Sequence, residues 1–166
     1  MIRKLHHNAY RCRDSEETRR FYEDFLGLRL AGTLEIRETK TGRKSDTLHT
    51  FYELDDGSYL AFFEAPDMPF EFKPQHDFDL HIALEVGEKV LHEMLAKGKA
   101  RGIETRGISD HEFIHSIYFR DPNGYVIELA AKMSGHERAM DPATNGARAK
   151  LDRWQAAKKQ AVKART

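Results

Sequence analysis

The chain sets out one arrangement twice, and the repetition excludes most folds before any single segment is weighed. His7-Asn8-Ala9-Tyr10 and His81-Ile82-Ala83-Leu84 each open a strand-like run that leads into a helical pattern ending at a glycine. The glycine is Gly27, 20 residues after His7, and Gly102, 21 residues after His81. In the first half a strand over 5–14 meets Asp14, an N-cap acceptor with Glu17 three residues on. Phe21, Tyr22, Phe25 and Leu26 then recur at helical spacing, and Gly27 supplies the left-handed stop. Strands are expected near 29–39, 47–54 and 58–64, separated by Thr41-Gly42 and Asp55-Asp56-Gly57. The second half repeats the order with a strand over 79–86 and a helix from about Glu88 carrying Val90, Leu91, Met94 and Leu95. Strands over 103–106, 114–120 and 125–131 follow, the last two joined by the turn Asp121-Pro122-Asn123-Gly124. Each half is a βαβββ unit that cannot cover its own sheet, so the two must pack together.

The expected architecture is therefore one α+β domain over 1–132, with modules at about 1–65 and 77–132. The linker 65–75 holds Pro66, Pro69 and Pro74, which oppose both helix and strand. The tail 133–166 reads as irregular from 134 to 146 and helical from 147 to about 163, with Leu151, Trp154 and Ala161 as a thin apolar stripe. A chain of 166 residues can bury a core without disulfides, and the single cysteine, Cys12, reads as a small buried hydrophobe. No apolar run approaches the roughly 20 residues that cross a bilayer, and no leader-like segment precedes the patterned sequence. The expectation is a cytoplasmic protein without a membrane partner. The 27 basic and 27 acidic residues cancel, but residues 132–166 hold nine of the basic and three of the acidic ones, a tail of +6 on a body of −6. Its bases follow a helical pattern with Trp154 as the one aromatic, so the tail is expected to dock on an acidic body, its own or a partner subunit's, and not on nucleic acid.

Strand alternation sorts the polar side chains by face. His7, Ala9 and Arg11 share one face, as do His81, Ala83 and Glu85, while Glu128 shares a face with Val126 and Ala130. A carboxylate between apolar neighbours in mid-strand needs a partner. Two histidines at equivalent points of a repeat, together with Glu128, make a 2-His-1-carboxylate set that leaves coordination positions open and suits Fe(II) or Mn(II).

The run from His7 through Asp14 into Phe21-Tyr22 and Leu26-Gly27, and the hairpin Asp121-Pro122-Asn123-Gly124-Tyr125-Val126-Ile127-Glu128, resemble the vicinal oxygen chelate superfamily of glyoxalases, bleomycin resistance proteins and extradiol dioxygenases. The resemblance covers residues 1 to about 132 and implies that superfamily's fold, two βαβββ modules, here with a helical C-terminal tail. It also implies a divalent metal held by His7, His81 and Glu128. A fourth ligand position falls on Ala61, and the nearest carboxylate, Glu64, lies three residues on and faces the opposite side. Three ligands match extradiol dioxygenases, whose terminal signature is met by His111, Ile117-Tyr118, Asp121-Pro122-x-Gly124 and Glu128, with Ser109 outside the usual set two residues before His111. In that branch His111 acts as acid–base group and Tyr118 hydrogen-bonds a substrate oxygen, with His115 and His76 as secondary candidates.

The substrate implied is a catechol-like aromatic diol. The alternatives are a glyoxalase-like lyase or isomerase acting on a small thioester or hemithioacetal, for which Arg11 would meet an anionic group, and a metal-free small-molecule or antibiotic-binding protein. The Lys- and Ser-bearing phosphonate loop of fosfomycin-modifying transferases has no counterpart in 107–116. Relatives of this kind form two-fold dimers, and the free edges of two curved sheets lead to the same expectation, a homodimer joined through the ligand-bearing strands.

Overall fold

A computed structural model describes residues 1–68, 70–72 and 76–163, with side chains to residue 160. Pro69 and Pro74 of the expected linker and the side chain of Ala161 in the tail stripe lie outside the described residues. The elements follow the order β1 (Tyr10–Arg11), α1 (Ser15–Arg19), β2 (Arg29–Glu38), β3 (Lys44–Glu53), β4 (Tyr59–Glu64), β5 (Ile82–Glu85), α2 (Glu88–Ala100), β6 (Thr105–Asp110), β7 (Ile114–Arg120), β8 (Val126–Lys132), α3 (His136–Met140) and α4 (Ala147–Lys163). They form two four-stranded sheets of matching order, β1-β4-β3-β2 and β5-β8-β7-β6. The two-module α+β architecture with a C-terminal helix is thus present. Two compact units divide the chain: residues 1–82 with 119–127, and residues 83–118 with 128–166.

In the first unit, β1 runs parallel to β4, with Tyr10 beside Phe62 and Arg11 beside Phe63. The strand is far shorter than the 5–14 expected. Its ladder breaks at Asn8, whose side-chain oxygen takes the Ala61 N–H at 2.9 Å in place of a backbone carbonyl. What remains of the strand toward the N-terminus is a single bridge between His7 and Tyr59. Asp14 caps α1 as its spacing foretells, accepting the Glu17 N–H at 2.7 Å. The helix then widens over Arg20–Phe25, where Leu26 N–H reaches the Phe21 carbonyl five residues back at 2.9 Å. The widened turn still presents Phe21, Tyr22 and Phe25 to the core, all buried, and Tyr22 lies 4.7 Å from Phe62 and 5.5 Å from Tyr52 between ring centres. Such ring pairs contribute about 1 kcal/mol each beyond the area they bury.

The tip of the β7–β8 hairpin belongs to the same unit, and its carboxylate organises it. Asp121 Oδ1 accepts the N–H groups of Asn123 and Tyr125 at 2.9 and 2.8 Å, and Oδ2 accepts from Tyr22 Oη at 2.9 Å and Asn123 Nδ2 at 3.1 Å. Asn123 in turn takes the Arg13 N–H at 2.8 Å. Burial raises the Asp121 pKa and those donors lower it, with burial the larger influence. Gly124 turns the hairpin at φ 100°, a conformation that only glycine adopts readily.

In the second unit α2 buries Leu91 and Met94, while Ile117, Leu129 and Ala131 are the buried apolar residues of β7 and β8. The strand after α2 is Thr105–Asp110 and not 103–106, because the polar segment Ser109-Asp110 still belongs to a hairpin with β7. His111 N–H bonds to the Ile114 carbonyl at 3.0 Å, Asp110 Oδ1 accepts the Glu112 N–H at 2.7 Å, and Glu112 takes φ 71° at the turn. The segment expected to be irregular after 134 contains the short helix α3, and α4 has every described side chain exposed, Leu151 and Trp154 included. No described helix is long and apolar enough to cross a membrane.

Candidate functional site

His7 and His81 occupy corresponding points, one at the bridge that leads into β1 and the other directly before β5, and both are exposed. Burial alternates along β5, with Ile82 and Leu84 turned inward and Ala83 and Glu85 outward on the His81 side. His81 Nδ1 stands 2.8 Å from the Asp77 carbonyl, which can only accept, so Nδ1 carries the proton and the lone pair lies on Nε2. His7 Nδ1 is likewise engaged, 2.8 Å from His6 Nδ1. Metal-ligating imidazoles characteristically tie one ring nitrogen to a neighbour and offer the other. His81 follows this pattern at Nδ1, and His7 Nδ1 is tied to a neighbouring imidazole.

Glu128 is buried at 5% exposure in the middle of β8, and its Oε1 accepts a 2.5 Å hydrogen bond from Ser116 Oγ on β7. Tyr118 lies two residues beyond Ser116 and thus on the same strand face. Its pKa is raised, first by burial and then by the negative charge of Glu128. His111 Nε2 is 2.9 Å from Tyr118 Oη, and the Arg106 guanidinium lies over the Tyr118 ring at 5.3 Å. Ser116, Tyr118, Glu128, His111 and Arg106 therefore make one polar cluster. His115 is not part of it: it points off the opposite face and pairs with Asp110 at 3.6 Å.

The chemistry of this donor set, two imidazoles and a buried carboxylate, suits Fe(II) or Mn(II). Among the described residues no three His, Cys, Asp or Glu side chains stand close enough together to hold a metal ion. His7 and His81 belong to the first unit and Glu128 to the second.

Arg11 turns its guanidinium to the loop after β4, with Nη2 2.8 Å from the Met68 carbonyl and 3.4 Å from that of Ala65. Glu64 Oε2 accepts the Ser15 N–H at 2.8 Å, so it serves the N-terminus of α1. Ala61 is fully buried and stands directly opposite Phe51. His76 is exposed and accepts the Phe78 N–H at 3.1 Å within its own loop.

Linear pattern overlooks Ser116 and His49. Ser116 could have been found from its parity with Tyr118. His49 is 5% exposed on β3, opposite Phe63 of β4 and stacked on that ring at 3.7 Å and 8°. Its ring centre lies 4.2 Å from Phe51 and 6.0 Å from His7. Burial lowers its pKa, against an opposing influence from the Phe62 carbonyl.

Comparison with known proteins identifies the family and agrees with the two-module fold. The family model of the Glyoxalase/Bleomycin resistance protein/Dioxygenase superfamily matches residues 4–129. The uncharacterized protein YwkD of Bacillus subtilis (strain 168) is 29% identical over 137 residues, 78% of this chain and 97% of that protein. Among solved structures, a glyoxylase/bleomycin resistance protein/dioxygenase domain from Frankia sp. EAN1pec superposes with a TM-score of 0.64 at 17% identity, over 80% of this chain and all of that one. The fosfomycin resistance protein FosX of Listeria monocytogenes, complexed with Mn(II) and sulfate, superposes with a TM-score of 0.61 at 21% identity, over 83% of this chain and 99% of that one.

Proposed function

The chain belongs to the glyoxalase/bleomycin resistance protein/dioxygenase superfamily, and from that premise we propose that it is a metal-dependent dioxygenase that opens the ring of a catechol-like aromatic diol. The observation that carries the proposal is the His111–Tyr118 pair, 2.9 Å between Nε2 and Oη, on the strand face that holds the buried Glu128. His7, His81 and the Glu128 carboxylate would be the metal ligands. A divalent ion, Fe(II) in the first instance and Mn(II) in the second, would supply Lewis acidity and open coordination positions. O2 is the co-substrate, and both of its atoms enter the opened product.

The protein's own groups manage the protons. Tyr118, its pKa raised by burial and by the Glu128 charge, keeps its phenolic proton at neutral pH and stands 2.9 Å from His111 Nε2. An imidazole nitrogen and a phenol oxygen can each donate or accept across this contact. The pair thus passes a proton between a diol hydroxyl and the exposed His111 ring without rearrangement. Arg106 over the Tyr118 ring holds that ring in place and adds positive charge beside it. Arg11 directs Nη2 at the Ala65 and Met68 carbonyls, in the loop after β4.

We also propose a homodimer joined through the ligand-bearing segments, since β1 and β5 are edge strands of their sheets. The test is anaerobic reconstitution with Fe(II) or Mn(II), then oxygen uptake and product absorbance with a panel of catechols, beside turnover of a hemithioacetal. Stoichiometric oxygen uptake with a catechol is the expected result. Turnover of the hemithioacetal alone would make the protein a lyase, and failure to retain any metal would make it a binding protein.

A further inference from the structure

We propose that His49 is a substrate-recognition residue whose Nε2 accepts a hydrogen bond from a hydroxyl of a planar aromatic ligand lying against Phe51, next to His7. The inference rests on the function proposed above and deepens it by naming the group in the first unit that reads the diol.

His7, Phe51 and His49 are adjoining rings on one face of the first sheet. His7 is 5.6 Å from Phe51 and 6.0 Å from His49, and Phe51 meets Tyr59 edge to face at 6.1 Å. The β3–β4 register puts Phe51 opposite Ala61 and His49 opposite Phe63, so the side chains of one sheet face beside His7 are the two aromatic rings, one imidazole and a buried alanine. Such a wall accommodates a flat ring and gives an aliphatic chain little to pair with.

The imidazole in this wall has a settled orientation. Its Nδ1 is 3.0 Å from the Phe62 carbonyl, an acceptor, so Nδ1 bears the proton and Nε2 bears the lone pair. Stacking on Phe63 holds the ring plane. Nε2 makes no hydrogen bond with any described residue and is not fully covered, so its lone pair stays available to a hydroxyl. An imidazole among aromatic rings costs free energy that a phenylalanine would not, and an acceptor presented to a hydroxyl recovers it. The occupant is then a ring with a hydroxyl on the edge near His7.

Two variants separate recognition from packing. His49→Asn places an amide nitrogen where Nδ1 stands and keeps the donor to Phe62, but it has nothing at Nε2. His49→Phe keeps the stacking and loses both nitrogens. Each is purified as the full chain, checked by thermal unfolding, loaded with Mn(II) as followed by electron paramagnetic resonance, and titrated without oxygen with 4-nitrocatechol, read by its visible spectrum. Expected is Mn(II) uptake equal to wild type and 4-nitrocatechol affinity about tenfold weaker in both variants. Wild-type affinity for 4-nitrocatechol in either variant that melts like the wild type overturns the role of His49 and leaves the metal reading intact. Failure of the wild type to take up Mn(II) overturns the metal reading and the role of His49 with it.

Discussion

Ser116→Ala removes one oxygen atom, yet it should change metal affinity more than most substitutions of that size. Ser116 is fully buried, and its hydroxyl donates to Glu128 Oε1 at 2.5 Å in a site where Glu128 is itself 5% exposed. Water does not easily replace the lost donor there. A hydrogen bond to a charged group contributes about 1.5–3 kcal/mol, and it also fixes the direction in which the carboxylate presents its other oxygen. Loss of a partner that orients a metal ligand costs about 10–100-fold in affinity, or roughly 1.4–2.8 kcal/mol at 1.4 kcal/mol per decade. The assay is Mn(II) titration by electron paramagnetic resonance, with urea unfolding of the metal-free protein alongside. We expect affinity to fall at least tenfold in Ser116→Ala and to return in Ser116→Thr, which keeps the hydroxyl and suits a strand. Affinity within about twofold of wild type in Ser116→Ala would refute the reasoning, because Glu128 would then need no positioning or would not be a ligand.

Three further outcomes follow from the same geometry. His81→Ala should abolish Mn(II) binding while changing unfolding free energy by less than about 0.5 kcal/mol, since the side chain is exposed; global unfolding on circular dichroism would make the residue structural instead. Asp121→Ala should lower stability by about 3 kcal/mol, because it strands the Tyr22 hydroxyl and two backbone N–H groups in a buried hairpin tip. Asp121→Asn, which retains an acceptor and sheds a charge that burial disfavours, should cost less, and equal losses in urea titration would show that these bonds contribute nothing. Burial raises the Cys12 thiol from 9.0 to about 11, so its contribution is complete below pH 9 and is lost as pH climbs through 11. Alkaline unfolding should therefore be less steep in Cys12→Ala, by up to about 1.4 kcal/mol per pH unit between those values, whereas identical slopes would place the thiol in water.

The elements that a linear reading recovers are those whose signals are local. Asp14 with Glu17, the stops at Gly27 and Gly102 and the turn at Asp121-Pro122-Asn123-Gly124 each act within a few residues, and the corresponding elements stand where those signals put them. The widened turn over Arg20–Phe25 was illegible because Phe21, Tyr22 and Phe25 reach the core under either helical geometry. The early end of β1 was illegible for another reason: it depends on Asn8 meeting the Ala61 N–H, a contact 53 residues apart in the chain. The candidate site divides in the same way. Parity groups Glu128 with Val126 and Ala130, and Tyr118 with Ser116, but the bond that joins the two strands, Ser116 to Glu128, spans 12 residues, and nothing near His49 in the chain distinguishes it from a surface histidine. Its surroundings come from Phe63 across the ladder and His7 at the far edge of the sheet. Ala61 lies on the strand between His7 and His49. Its small side chain, opposite Phe51, leaves aromatic rings and a single imidazole acceptor next to His7 in place of a carboxylate. On the proposed function, a carboxylate there would favour proton transfer from an aliphatic substrate, whereas a ring wall with one acceptor favours holding a flat diol still.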